Sequence, residues 1–311
     1  MSAVNDTIFQ PAQFHLTGIP GLEDVHVWIS IPICFMYITS IIGNSLILFL
    51  IKTDSTLHEP MYIFLSMLAI TDLGLSITTM PTILGIFWFN SREISSNACF
   101  AQLFLIHSIS FTESSVLLSM AFDRFVAICN PLRYASILTT PRIAMMGLVS
   151  LLRGVSVIFP LPILLKHFRY CKDNILSHSY CLNQEVMKMA CSDIRAHSIY
   201  SFFVTVASVG LDVLLILLSY VMILKTVLSI ASHAERLKAL NTCVSHICVV
   251  LLFYVPVIGL SVIHRFVKIP SPLVQIIMGD IYLLIPPMMN PIVYSMKTKP
   301  IRVKIIRVFV K

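Results

Sequence analysis

Ser119-Met120-Ala121-Phe122-Asp123-Arg124-Phe125-Val126-Ala127-Ile128-Cys129-Asn130-Pro131-Leu132-Arg133-Tyr134 is the stretch on which the reading of this chain turns. An acid and an arginine stand side by side at the end of a long apolar run. Neither charge is tolerated unpaired in hydrocarbon, so the pair belongs where a helix leaves a membrane. Asn130-Pro131 then ends that helix, because proline lacks the backbone donor and clashes with the preceding turn. By spacing alone, the pair is either a membrane-edge ion pair that sets helix depth or a functional group.

The rest of the chain fits the membrane. Hydrophobic residues make up 57% of it and charged residues only 12%, whereas a soluble domain carries about twice that charge fraction. Apolar stretches run from Trp28 to Ile51, from the opening His58-Glu59-Pro60-Met61-Tyr62 to about Trp88, from Cys99 to Ile128, from Ile143 to Leu165 and from His197 to Ser229. A sixth ends at Ser261–Phe266, and a seventh runs from about Leu273 to Met296. Each is long enough to cross hydrocarbon as a helix. The predicted fold is an all-α membrane protein, a seven-transmembrane helix bundle (residues 28–296). It is preceded by an extracellular N-terminus (1–27) and followed by a cytoplasmic tail (297–311). Residues 1–26 lack a basic n-region and a continuous apolar core, so no cleaved signal peptide is expected and the first span would serve as signal anchor.

The net charge of +7 points to orientation rather than to nucleic acid. Lys52, Arg124, Arg133, Arg142, Lys225, Arg236, Lys238 and the basic tail residues fall on one side, while residues 1–26 contain no Lys or Arg. The positive-inside rule therefore places the N-terminus outside. The Lys166–Arg195 loop, external in this topology, runs against the trend with five basic residues. Asn5-Asp6-Thr7 on the external segment is a glycosylation sequon. After Pro300, the residues Ile301, Ile305, Val308 and Phe309 share one helical face, which predicts a short amphipathic helix on the inner leaflet. The tail contains no cysteine, so no palmitoyl anchor is expected on it.

Polar residues inside the spans need partners. Asn44, Asp72, Glu113, Arg153 and Asp212 are the conspicuous ones. Arg153 has no evident partner in the sequence; Glu113 is one candidate. Cys99, Cys171, Cys181 and Cys191 are external, and four cysteines allow three pairings. His178 and Cys181 have ligand-like spacing for a metal, but disulfide bonding would remove the thiolate. Cys243-x-x-His246 is read as packing near the inner end of the sixth span. No nucleophile–base or metal-hydrolase motif is present, so the chain is not expected to be an enzyme.

Several motifs together resemble one family. "MAFDRFVAICNPLRY" at 120–134 is similar to the "MAYDRYVAICNPLRY" signature of odorant receptors, a branch of the rhodopsin-like G-protein-coupled receptors, with Phe122 and Phe125 in place of two tyrosines. "PMYIFLSMLAITD" at 60–72, the segment from Arg236 to His246, and Pro286-Pro287-Met288-Met289-Asn290-Pro291-Ile292-Val293-Tyr294 resemble further odorant-receptor motifs. Phe14 to Glu23 resembles the class I, or fish-like, group. The resemblance implies disulfides Cys99–Cys181 and Cys171–Cys191. It makes Asp123 and Arg124 the cytoplasmic switch, with Tyr220 swinging toward Arg124 on activation and Tyr294 of the Asn-Pro-x-x-Tyr motif a further switch residue. It also places Asn44 and Asn290 near Asp72. Asp72 and Glu113, with Asn290, would then hold a sodium ion through oxygen ligands; the alternative is that one or both acids are protonated and hydrogen-bonded.

The implied function is an odorant receptor of the plasma membrane, in which a small volatile ligand binds between the outer halves of helices 3, 5 and 6. The partners implied are the olfactory stimulatory G protein and, through it, adenylyl cyclase and cyclic AMP. Arg265 at the outer end of the sixth span points to the ligand class, because a guanidinium fork matches a carboxylate at two points. Ser261 lies one turn below it, and His107 and Gln184 would complete a polar lid. The expected ligand is a small carboxylic acid. The competing reading of Arg265 pairs it with Asp280 or with lipid headgroups. Competing functions are an amine ligand held by Asp280, a receptor for metabolites outside the nose, and an ion transporter using Asp72, Glu113 and Asp212.

Overall fold

The computed structural model describes residues 11–19, 21, 25–171, 174–230, 232–266 and 272–309, and of 238, 262–266, 272 and 308–309 the backbone alone. Asn5 and the side chain of Arg265 lie outside the described residues. Among the described residues, seven helices are long and apolar enough to cross a membrane. They are α1 (His26–Thr53), α2 (Pro60–Phe89), α3 (Ser96–Cys129), α4 (Thr140–Ile158), α5 (Arg195–Ser229), α6 (His233–Phe266) and α7 (Pro272–Lys297), with a shorter α8 at Lys299–Phe309. The first, third, fifth and seventh spans run one to three residues beyond their apolar stretches at one or both ends. In hydrocarbon every backbone polar group must be bonded internally, so helices continue until they meet water or a cap.

The ends are set locally. Pro60 takes the first turn of α2, where its missing N–H is no loss. Asn90 ends α2 with φ of 50°, a left-handed conformation that asparagine tolerates better than most residues. The Ser95 hydroxyl accepts from Ala98 N and caps α3. In the fourth span the chain breaks at Phe159, and a separate helical segment, Pro160–Lys166, carries it outward. Pro160 and Pro162 account for the break, since neither donates to the helix ladder.

α3 is the axis of the bundle. Of its most apolar window 72% is buried, against 22% for α5, so α5 shows most of its surface to lipid. Close approaches hold the bundle together. A Cβ on Gly43 would stand 2.8 Å from Pro291, and one on Gly154 would stand 2.5 Å from Ser108 O, so α1 meets α7, and α4 meets α3, at glycines. On the side of the bundle opposite Asp123–Arg124, β1 (Gln13–Leu16) lies between β2 (Glu93–Ser95), antiparallel, and β3 (Ile175–Leu176), parallel. This small sheet ties the N-terminal segment to the long loop between the fourth and fifth spans.

Candidate functional site

Beneath that loop, α3, α5, α6 and α7 enclose a small cavity of about 70 Å³. The loop is held over it twice. Cys99 at the start of α3 is bonded to Cys181, and Cys181 N donates to Gln102 Oε1 at 3.0 Å. Cys171 and Cys191 close the loop on itself. The chain after Cys181 therefore forms the lid, and Leu182 and Gln184 face the cavity. Its walls include Phe111, Val209, Phe253 and Val257, with polar points from His107, Thr205, Ser261 and Tyr282.

Two polar atoms at this cavity have no bonding partner. His107 Nε2 and Gln184 Oε1 are both buried and unpaired. Unmade hydrogen bonds on buried groups cost free energy, so these two atoms are open to a water or a ligand. Ser261 is less available, because its hydroxyl donates to Val257 O at 2.9 Å. Tyr282 donates to Ser110 Oγ. The structure thus brings His107, Gln184 and Ser261 to one cavity, with Arg265 one turn further along α6.

One turn deeper, a polar network crosses the bundle. Arg153 Nη1 donates to both Asp212 oxygens, at 2.9 and 3.0 Å, and to Ser115 Oγ at 2.7 Å. Arg153 Nη2 donates to Ser208 O at 3.0 Å. Ser114 Oγ donates to Asp212 at 2.6 Å and meets the Tyr254 hydroxyl at 2.8 Å. The network joins α3, α4, α5 and α6, and Tyr254 is the neighbour of Phe253 in the cavity wall. The candidate Arg153–Glu113 pairing is therefore corrected to Arg153–Asp212. Residues on a helix turn about 100° apiece, so Ser114 and Ser115 face α4 and α5 while Glu113 points elsewhere.

Glu113 is directed to the α2–α7 side. Asn290 Nδ2 donates to both oxygens of Asp72 at 3.1 Å. Both Glu113 oxygens and Asn290 Oδ1 are buried without a hydrogen-bond partner. Three orphan oxygens beside a second carboxylate form a donor set suited to a hard cation such as sodium. Asn44 is engaged otherwise: its amide donates to Ser40 O and Pro287 O, both at 3.0 Å. It links α1 to α7 rather than reaching Asp72.

At the far end Arg124 pairs with Asp123 at 3.1 Å, and the Tyr134 hydroxyl donates to Asp123 at 2.7 Å. Burial, and then the Asp123 charge, raise the pKa of Tyr134, so it remains a donor. Tyr220 does not touch Arg124. Its hydroxyl is 2.7 Å from His246 Nδ1, and His246 Nε2 is 3.1 Å from Leu117 O. Tyr294 donates weakly to Met120 Sδ. His246 thus pins α6 to α3 and α5, a role that the packing interpretation of Cys243-x-x-His246 missed. A histidine on the buried face of an apolar span was the available signal. On the same side, Lys304 of α8 reaches Asp54 and Thr56 in the turn after α1. Lys304 first, and Thr56 next, hold the Asp54 carboxyl at about 2.

A model of the olfactory receptor family matches residues 33–311. Olfactory receptor 51G2 of Homo sapiens is 68% identical over 298 residues, which cover 96% of this chain and 95% of that one. Olfactory receptor 51G1 of Homo sapiens is 59% identical, covering 99% and 96%. Olfactory receptor 51E2 of Homo sapiens is 51% identical over the same shares. In structure, the chain resembles squid rhodopsin with a TM-score of 0.77 at 17% identity, over 94% of this chain and 87% of that one; this likeness concerns the fold. A seven-helix bundle with a lidded cavity at one end and an Asp-Arg pair at the other, matched along nearly its whole length, makes this chain a member of the olfactory receptor family, a multi-pass plasma-membrane G-protein-coupled receptor and not an enzyme.

Proposed function

We propose that this receptor recognises a small carboxylic acid in the cavity under the long loop and answers through the olfactory stimulatory G protein, raising cyclic AMP. The disulfide-bonded face is extracellular in this reading, and the Asp123–Arg124 end is cytoplasmic. The observation that carries the ligand class is the pair of unpartnered buried atoms, His107 Nε2 and Gln184 Oε1, at an otherwise apolar cavity. The two ends of a glutamine amide are interchangeable by rotation, so Gln184 can donate or accept. A carboxyl group offers two oxygens to those partners, and Arg265, one turn beyond Ser261 on α6, supplies the countercharge. The small volume favours a short chain, and the apolar walls take its tail.

Activation then follows from differential affinity. A ligand shifts the resting balance only as far as it binds the active state better. Acid drawn between α3 and α6 presses on Phe253 and, through it, on Tyr254 and the Arg153–Asp212 network. The inner end of α6 moves outward when His246 releases Tyr220 and Leu117 O. Tyr220 is then free to turn to Arg124, which leaves Asp123 for the G protein. A sodium ion on Asp72, Glu113 and Asn290 belongs to the resting state, where it satisfies the orphan oxygens.

The test is a concentration series of short straight-chain acids on cells expressing the receptor with that G protein, read as cyclic AMP. His107→Phe and Gln184→Leu should each raise the half-maximal acid concentration by about tenfold or more at equal surface staining, the usual range for a lost hydrogen bond to a charged group. Unchanged potency in both variants rejects this pocket.

A further inference from the structure

We infer that a second ligand site lies outside the bundle, in the groove between α1 and α7, and that it takes a lipophilic primary amine whose ammonium pairs with Asp280. The two helices touch at Gly43–Pro291 and at Asn44–Pro287. Toward the disulfide side they part, leaving a groove of about 220 Å³ walled by Ile29, Ile33, Met36, Ile277 and Ile281, with Asp280 as its one charged residue among the described residues. Ile277 is 44% exposed, so the groove opens on the surface that meets lipid.

Asp280 belongs to this groove and not to the cavity under the loop. Tyr282, two positions along, points into the bundle and donates to Ser110. Two helical positions are about 200° apart, which turns Asp280 to the α1 side. Among the described residues nothing forms a hydrogen bond or ion pair with its carboxylate. The Tyr37 hydroxyl on α1 is engaged with Thr79 Oγ1 at 2.8 Å. A carboxylate at membrane depth needs a partner; the groove walls are apolar, and the Tyr37 and Tyr180 hydroxyls lie near enough to feel the charge without bonding it.

The chemistry that completes such a site is a cation carrying an apolar chain. Asp280 lies eight residues after the start of α7 at Pro272, about 12 Å along the helix. An amine that dissolves in the bilayer reaches this depth laterally, places its ammonium on Asp280 and lays its chain on Ile277 and Ile281. An alcohol of equal length leaves the acid unpaired, and a carboxylate is repelled. The site is therefore opposite in charge preference to the pocket proposed for the agonist and independent of it.

The experiment uses the whole receptor in phosphatidylcholine nanodiscs with a diazirine-bearing dodecylamine as photolabel. The label should be recovered on peptides 29–36 and 277–285. Dodecylamine should displace it, while dodecanol and dodecanoate should not. Asp280→Asn keeps the side-chain volume and should lower labelling by about tenfold or more. Ile281→Trp fills the groove, keeps the carboxylate and should also lower it. Both variants are compared at matched thermal stability of the purified protein. Labelling spread evenly over lipid-facing helices, displacement by dodecanol as effective as by dodecylamine, or undiminished labelling of Asp280→Asn overturns the site.

Discussion

Arg153 and Asp212 should be strongly coupled, and a double-mutant cycle measures how strongly. Asp212 is 2% exposed at its side chain and Arg153 26%. Asp212→Ala removes two charge-assisted bonds from Arg153 and one from Ser114. Arg153 retains Ser115 and Ser208 O and is a quarter exposed. The cost should therefore sit at the low end of the range for breaking a buried pair, about 3 kcal/mol. Arg153→Met leaves Asp212 with the Ser114 hydroxyl, and the acid can take up a proton. That costs less, about 2 kcal/mol. Combining Arg153→Met with Asp212→Ala removes both charges together and should cost about 2 kcal/mol, which gives a coupling of about 3 kcal/mol. Thermal unfolding of purified receptor is the assay. The midpoint for Asp212→Ala should fall by about 6 to 12 °C, on the scale of soluble domains of 150–250 residues. Single effects that add within about 0.5 kcal/mol would refute the network as a unit.

Other consequences are separately testable. Asp123→Asn weakens the hold on Arg124 and Tyr134 and should raise ligand-free cyclic AMP severalfold at equal surface level. Sodium in place of choline should raise the unfolding midpoint of wild type but not of Asp72→Asn. The depressed Asp54 pKa means that the charged acid is favoured in the folded state. Its contribution is complete above the ordinary carboxylate range and is lost as pH falls from there toward about 2. Lys304→Gln should shrink that acid-side loss in a pH series of unfolding midpoints, leaving the part that Thr56 contributes. Finally, Cys99–Cys181 spans 82 positions and Cys171–Cys191 only 20. Loop-closure entropy therefore makes the first bridge worth about 1 kcal/mol more, and Cys99→Ser should reduce surface staining more than Cys171→Ser.

The spans were legible because hydropathy and proline placement act locally. Pro160 and Pro162 pointed to a bend at the outer end of the fourth span, and the structure breaks the helix there; other ends lengthened because backbone groups stay bonded until water or a cap intervenes. The partners of buried polar groups were less legible. Arg153 had several acids to choose from, and only the rotation of α3 decides against Glu113 and the approach of α5 decides for Asp212. Asn44 went to a carbonyl of α7 that proline leaves without a following donor, and such a partner has no side-chain signal. His246 was visible as a polar residue in an apolar span, yet its bond to a backbone oxygen of α3 depends on helix spacing that no local pattern encodes.

The central claim is that an acid is recognised at the outer end of α3 and α6. Its most direct test records cyclic AMP against straight-chain acids, matched alcohols and amines, for wild type and for Arg265→Ala, with surface staining beside every trace. Acids alone should activate, and Arg265→Ala should abolish the response at equal surface level. Equal responses to alcohols, or an unchanged response in Arg265→Ala, would contradict the claim.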